Sequence, residues 1–400
     1  MSKPLAGLRV VELAQFAAGP AVGLLLADLG AEVIKVESPE GDPTRTRSLH
    51  KVRGESAYFM HFNRGKQSVV IDLKQADGRE VLNDLLRKSD AFISNLRPGA
   101  LEKLKLDYEN LRVLNPRLVA ASVSGFGTHG AERDRPSFDA LPQAMSGLMS
   151  LTGEAGRTPV VVGTPIGDLS AGMFAVMGLL AALLQRTHSG VGQHVDISML
   201  DSSVWLVGYP AAYYFASAQV PGPMGSGHEN AAPYGAFLGA DGRHFFLAAH
   251  HIWEKLCDVL DRPDLKADTR FATHPARLVN RAALDAILGE IFLRKTSAQW
   301  LALLAANDIP AAPVNNLGEA FDEPLVCARN MRTEVRHPDG GVYTAVGNPM
   351  KFSAGGAEDF GAPPRLGADT ARVLTDIVGY AAQHVERLAA AGAIRLSETA

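Results

Sequence analysis

Hydrophobic and polar positions in the first half of the chain alternate between two periods. Leu8–Phe16 is a mostly apolar run that predicts a buried strand, Gly19-Pro20 a turn, and Ala21–Leu29 a helix ended by Gly30. Val33–Glu37 and Ser68–Leu73 predict further strands. Gly78–Lys88 carries Val81, Leu82, Leu85 and Leu86 at helical spacing, with basic residues in its last turn. Ala91–Leu96 reads as a strand, Pro98 opens a helix at its first position, and Leu118–Phe126 is a long apolar strand. Strand, helix and strand repeated in this way predict an α/β layered domain around a parallel sheet.

A long apolar helix comes next over Ser170–Arg186, closed by Ser189-Gly190, then a strand over His194–Met199 and a helical stretch over Met199–Phe215. Residues Ala218–Gly227 are dense in Pro and Gly and mark a linker. Tyr234–Ala249 alternates about Ala240-Asp241-Gly242, a hairpin signal. Helices are expected at Ile252–Leu260, Arg281–Leu293 and Ser297–Asn307, which makes a second, α+β domain. Short strands, Gly/Pro turns and a helix near Thr370–Ala391 end the chain; pattern alone leaves open whether they rejoin the first domain.

Length supports two domains, because 400 residues exceed the roughly 250–300 at which single cores stop growing. Lys plus Arg is 39 against 43 for Asp plus Glu, a balance that disfavours nucleic-acid coating and polybasic membrane binding. Two cysteines, Cys257 and Cys327, exclude a disulfide scaffold and a Cys-ligated zinc site. The start of the chain shows no export signal, and the apolar run Leu169–Leu184 is shorter than the about 20 residues that span a bilayer. A cytoplasmic protein is expected.

Residues 125–130, G-F-G-T-H-G, have GxGxxG spacing, but the next six residues are mostly charged and end in Pro136, so a glycine-rich surface loop is expected there and not a nicotinamide or flavin site. The histidines are scattered, apart from His250-His251, and no metal site is expected. The informative stretch is Val160–Ala175. Asp168 comes after a loop with Gly163, Pro165 and Gly167 and precedes the long helix. One reading makes Asp168 the helix N-cap. The other makes it a nucleophile whose neighbouring backbone N–H groups stabilise an oxyanion.

The whole chain resembles the class III CoA-transferases. The resemblance is carried by Pro4 to Val10, Ala18-Gly19-Pro20, Leu29 to Glu37, Gly41 to Arg45, Asn63 to Lys66 before Ile71 to Lys74, and Asn95 to Gly99. It continues through Ser124 to Gly127, Phe138-Asp139, Gln143-Ala144, Gly163 to Asp168, Gly190 to Asp196 and Ala232-Pro233-Tyr234. The resemblance implies a Rossmann-like large domain over 1–217 and 320–400, a small α+β domain over 218–319, and a homodimer of two interlocked rings. Asp168 then becomes the catalytic carboxylate, passing CoA through mixed anhydrides and an aspartyl-CoA thioester. Coenzyme A enters as co-substrate, with no permanently bound cofactor.

Carried over by position, the CoA contacts are Ala17, Ala18, Ile71, Asp72, Leu73, Lys74, Asn95, Leu96, Arg97, Lys103, Arg135 and Phe138, in the loop Arg135–Phe138. Ala17 and Ser38 stand where family members often have Gln and Arg. The racemase branch places a His where Phe138 stands, and Phe carries no proton, which counts against racemisation. The stretch Tyr209–Phe237 is most similar to the dicarboxylate branch, which uses succinyl-CoA with citramalate, itaconate, malate or mesaconate; the residues 228–234 replace the glycine-rich loop of the oxalate enzymes. Arg47, Arg53 and His228 are candidate cations for an acceptor's second carboxylate. A CoA-binding protein without transfer activity is the other alternative.

Overall fold

The computed structural model describes residues 2–355 and 358–397. The chain divides into two compact units, one of residues 1–149, 161–218 and 327–400, the other of 150–160 and 219–326. Residues 150–160 thus join the second unit, although their sequence lies well before the 218–227 linker.

The first unit is built on six parallel strands: β1 (Arg9–Leu13), β2 (Glu32–Glu37), β3 (Gln67–Ile71), β4 (Ala91–Ser94), β5 (Val119–Ser124) and β6 (His194–Ser198). Their order in the sheet is 3-2-1-4-5-6, with a short antiparallel strand, Ile394–Arg395, added beside β3. The alternation of a pleated strand sorts its side chains to two covered faces. Val10, Val33 and Ile93 pack under helices α1 (Ala18–Asp28) and α6 (Ile166–Ser189), numbering helices so that α2 is Ala57–Asn63, α3 Ala76–Arg87, α4 Pro98–Leu104 and α5 Ala140–Ser146. Val11, Ile34 and Phe92 pack on the other face against Val81, Leu82, Leu85 and Leu86 of α3 and against Val373, Leu374 and Leu388 of the C-terminal segment.

Several boundaries differ from the sequence expectation. The long helix α6 starts at Ile166, not Ser170, and runs 24 residues. That is long and apolar enough to cross a bilayer, yet it packs between α1 and the strands β5 and β6. Met199–Phe215 is two helices, α7 (Met199–Leu206) and α8 (Tyr209–Ser217), broken at Gly208, whose φ of +67° a helix does not accept. The C-terminal helix is likewise split, with Gly379 at φ +90° between residues 373–378 and Ala382–Ala390.

The second unit holds the expected hairpin, Tyr234–Leu238 with His244–Ala248, extended by Ala311–Pro313 into a three-stranded antiparallel sheet. Helices Trp253–Val259, Arg281–Phe292 and Ser297–Ala305 cover it through a core of Phe245, Leu256, Leu284, Phe292 and Trp300.

Candidate active site

In a 3-2-1-4-5-6 sheet the chain reverses direction between β1 and β4, which opens a crevice beyond their carboxyl ends. Two clefts open there. One, of about 340 Å³, is lined by Gln15 to Ala18 after β1, Asn95 to Arg97 after β4, Val123 to Gly125 after β5, and Arg133, Arg135, Ser137, Phe138, Asp168 and Met199. The other, of about 530 Å³, lies beside it over β1, β2 and β3 and takes in Ser38, Ile71 to Lys74, Arg79 and Leu104. Gln15 and Leu96 line both clefts.

The residues carried over by position separate between the two. Ala17, Ala18, Asn95, Leu96, Arg97, Arg135 and Phe138 share the first cleft with Asp168. Ile71, Asp72, Leu73 and Lys74 line the second. Lys103 lines neither; it is exposed on α4, one residue before Leu104, which does. Arg47 and Arg53 are also outside both linings, and Arg53 is turned to the carbonyl of Gly340. The cations that do line the first cleft are Arg97, Arg133 and Arg135. Arg133 is paired with Glu102, and Arg135 with Glu132.

The turn through Gln15–Ala18 is held in a costly shape. Phe16 has φ of +63°, which a bulky residue adopts only when its surroundings enforce it. Asn95 provides that constraint, accepting from the N–H of Gln15 at 2.9 Å and donating to its carbonyl at 2.7 Å. Lys35 Nζ donates to the carbonyl of Ala14 at 2.7 Å from below. Gly19 is required because a Cβ there would stand 2.5 Å from that of Ala14. The turn delivers the N-terminus of α1 to the cleft, with Ala17 as an N-cap that has no side-chain acceptor to offer.

Asp168 is not the cap of its helix. Because α6 begins at Ile166, Asp168 sits inside the first turn, and the N-cap is Pro165. The capping acceptor comes from 29 residues away: Asp139 Oδ1 accepts from the N–H of Gly167 at 2.8 Å and of Asp168 at 3.1 Å. Ile166 N–H donates to the carbonyl of Thr164. The oxyanion donors expected at this helix end are therefore already engaged. The Asp168 carboxylate is half-buried and has no hydrogen-bond or ion-pair partner among the described residues. Burial first, and then the charge of Asp139, raise its pKa to about 7. Tyr58 on α2 belongs to the same surroundings: burial, then the charge of Asp168, push its phenol up to about 12.

Tyr58 is not singled out by its sequence context; Asn95 is carried over as a CoA contact and Asp139 as part of the Phe138-Asp139 stretch, neither in the role its geometry gives it. Asn95 and Asp139 stand inside stretches that carry the resemblance, but only tertiary folding brings residues 58, 95, 139 and 168 together. The G-F-G-T-H-G stretch is a loop with no helix opening from it, fixed by Thr128, whose N–H and hydroxyl both donate to Asp196. Among the described residues no three His, Cys, Asp or Glu side chains converge as metal ligands.

Residues 5–370 match the model of CoA-transferase family III. The chain is 37% identical over 383 residues to the succinate–glutarate CoA-transferase of Agrobacterium fabrum, covering 94% of this chain and 96% of that protein. It is 36% identical over 353 residues to an acetyl-CoA:oxalate CoA-transferase of Acetobacter aceti, covering 88% and 89%. Its fold is similar to the crystal structure of a CAIB/BAIF family protein from Brucella suis, with a TM-score of 0.85 and 38% identity over 94% of this chain and all of that one.

Proposed function

The chain belongs to CoA-transferase family III, and from that premise we propose that it moves CoA from succinyl-CoA to a C4–C5 dicarboxylic acid, with Asp168 as the covalent carrier. The observation that supports this most directly is a half-buried carboxylate without a counter-ion, set in a cleft that also holds three arginines. A structural carboxylate is normally paired when buried; one left unpaired is suited to attack a carbonyl carbon.

Asp168 Oδ adds to the thioester carbonyl carbon of the donor and the CoA thiolate leaves, giving an acyl–aspartyl anhydride. The thiolate returns to the aspartyl carbonyl and releases the donor acid, leaving an Asp168–CoA thioester. The acceptor carboxylate attacks that thioester, and the thiolate, freed again, takes the acceptor's acyl group from the second anhydride. No net proton is consumed, and the thioester's energy is retained throughout. With the N–H groups of Gly167 and Asp168 engaged by Asp139, the free N-terminus of α1 beside Ala17 and Ala18 is the donor set for the tetrahedral oxyanions. Arg97, Arg135 and Lys74 supply the charge for the phosphates of CoA, lying along the two adjacent clefts.

The protein is a homodimer with interlocked subunits in this reading. Trp205 and Phe215 are 69% and 80% exposed, and α8 buries none of its residues, a surface that favours coverage by a second copy. Light scattering would return the mass of two chains.

Mass spectrometry of the intact protein after mixing with succinyl-CoA tests the chemistry. An adduct on the Asp168 peptide, lost in Asp168→Asn together with transfer, is expected; transfer undiminished in that variant would sink the assignment. Glutarate, mesaconate and citramalate are expected to accept CoA from the adduct. Oxalate, the acid for which one relative is named, is the informative competitor: turnover with oxalate alone would overturn the C4–C5 assignment.

A further inference from the structure

The carboxylate nearest the nucleophile belongs to Asp139, and its hydrogen bonds are all committed. Oδ1 receives the N–H groups of Gly167 and Asp168. Oδ2 receives the side-chain amide of Gln143 at 2.6 Å, one turn along α5. Gln143 is fully buried and spends its other end on the loop that leads into α6, accepting from the N–H of Val162 at 2.9 Å. Asp139 and Gln143 thus grip both sides of the 162–168 turn. Gly167 belongs to the same arrangement, since a Cβ there would lie 3.0 Å from Asp139 Oδ1.

We propose that Asp139, backed by Gln143, is a positioning residue for the transfer reaction: it fixes the turn from which Asp168 projects and holds a negative charge beside the nucleophile. The proposal rests on the reading of Asp168 as the covalent carrier. An ordinary N-cap residue lies next to its helix in sequence; this acceptor comes from a separate helix and bonds to the nucleophile's own N–H. The geometry couples two effects. The bonds to Gly167 and Asp168 set where the carboxylate stands, and the charge sets when it is ionised.

The surroundings of Asp168 make the second effect readable. From α5 it faces Asp139, and from α2 it faces Tyr58, neutral throughout the working range. The 131–137 segment contributes Arg133 and Arg135, both already paired with carboxylates, and the turn after β4 contributes Arg97. The Gln15–Ala18 turn has no ionisable side chain. Asp139 is the one negative charge raising the pKa of Asp168, alongside burial. Since attack needs the ionised form, the acid limb of kcat is expected near pH 7.

Two variants separate the effects. Asp139→Ala removes the acceptor, and kcat is expected to fall about 100-fold, as for a nucleophile displaced by about 1 Å. KM for succinyl-CoA should change less than about threefold, because the CoA-lining residues are untouched. Asp139→Asn keeps an acceptor for the two N–H groups and loses the charge together with the bond from Gln143. Its kcat at pH 8 should stay within about fivefold of wild type, while the acid limb moves about one unit toward lower pH.

Each rate is normalised to the fraction of chain that binds CoA, so misfolded protein does not enter. Wild-type kcat in Asp139→Ala overturns the proposal, and so does an unmoved acid limb in Asp139→Asn. Either result with Asp168→Asn inactive removes only the role of Asp139. Full transfer in Asp168→Asn removes the nucleophile itself.

Discussion

Two carboxylates of the same unit, Glu37 and Asp168, are shifted in opposite directions. Beneath the sheet's carboxyl edge, Glu12 is wholly buried between Lys35 Nζ at 3.1 Å and Lys66 Nζ at 2.7 Å, and Lys35 also meets Asp42 at 3.0 Å. Glu37 accepts two bonds from Arg45, both of 2.7 Å, and one from Ser68 of 2.6 Å. Burial alone would raise the pKa of Glu37; Arg45, Lys35 and Ser68 outweigh it and hold the carboxyl below its usual range. Around half-buried Asp168, desolvation acts with another carboxylate in place of a cation, and the pKa rises. Desolvation is common to both, so the counter-ion decides whether a buried carboxylate serves the fold or the chemistry.

Removing a cation is the strongest way to break this contrast. Lys35→Met takes from Asp42 its ion-pair partner and from Glu12 one of two, and should destabilise the protein by about 3–5 kcal/mol in urea titrations at neutral pH. Asp168→Asn should do the reverse. A carboxyl whose folded pKa lies above its unfolded value of 3.8 binds its proton more tightly when folded, so it costs stability once pH exceeds that window. About three units correspond to roughly 4 kcal/mol, and partial solvent access reduces this to about 2 kcal/mol. The variant's melting temperature should therefore exceed wild type at pH 8 and match it at pH 3.

Smaller effects sharpen the comparison. Gly167→Ala crowds Asp139 Oδ1 and should cost about 1 kcal/mol with a larger loss in kcat than in affinity for CoA. Glu37 contributes in the usual carboxylate sense: its stabilisation is present above 4.5, the unfolded value, and is lost as pH falls below it. Acid titration of Arg45→Ala should show a weaker fall over that range than wild type.

The sheet was legible because its strands are covered on both faces and read as short apolar runs; β1 to β6 each fall within a residue or a few of their expected limits. The start of α6 was not. Pro165 and Gly167 read as loop, and the helix forms there because Asp139 satisfies its first turn from another element. That single displacement turns Asp168 from a cap into a group projecting from a helix. Lys35 and Lys66 were also illegible, since a lysine reads as a surface residue, whether in an apolar strand like Lys35 or in a polar turn like Lys66, until its carboxylate partner Glu12, 23 and 54 positions away, folds against it.

Gln15 and Leu96 form a ridge common to both clefts, so a long substrate can be gripped at one end while its other end reacts. In the proposed cycle the thiolate leaves Asp168's surroundings twice and must come back twice. A molecule moored by its nucleotide end over β2 and β3 never drifts into solvent between those visits, and its sulfur remains at a local concentration far above any free thiol. In that cycle the adjacent clefts would act as a leash, and the two acids would exchange around a co-substrate held in place for the turnover.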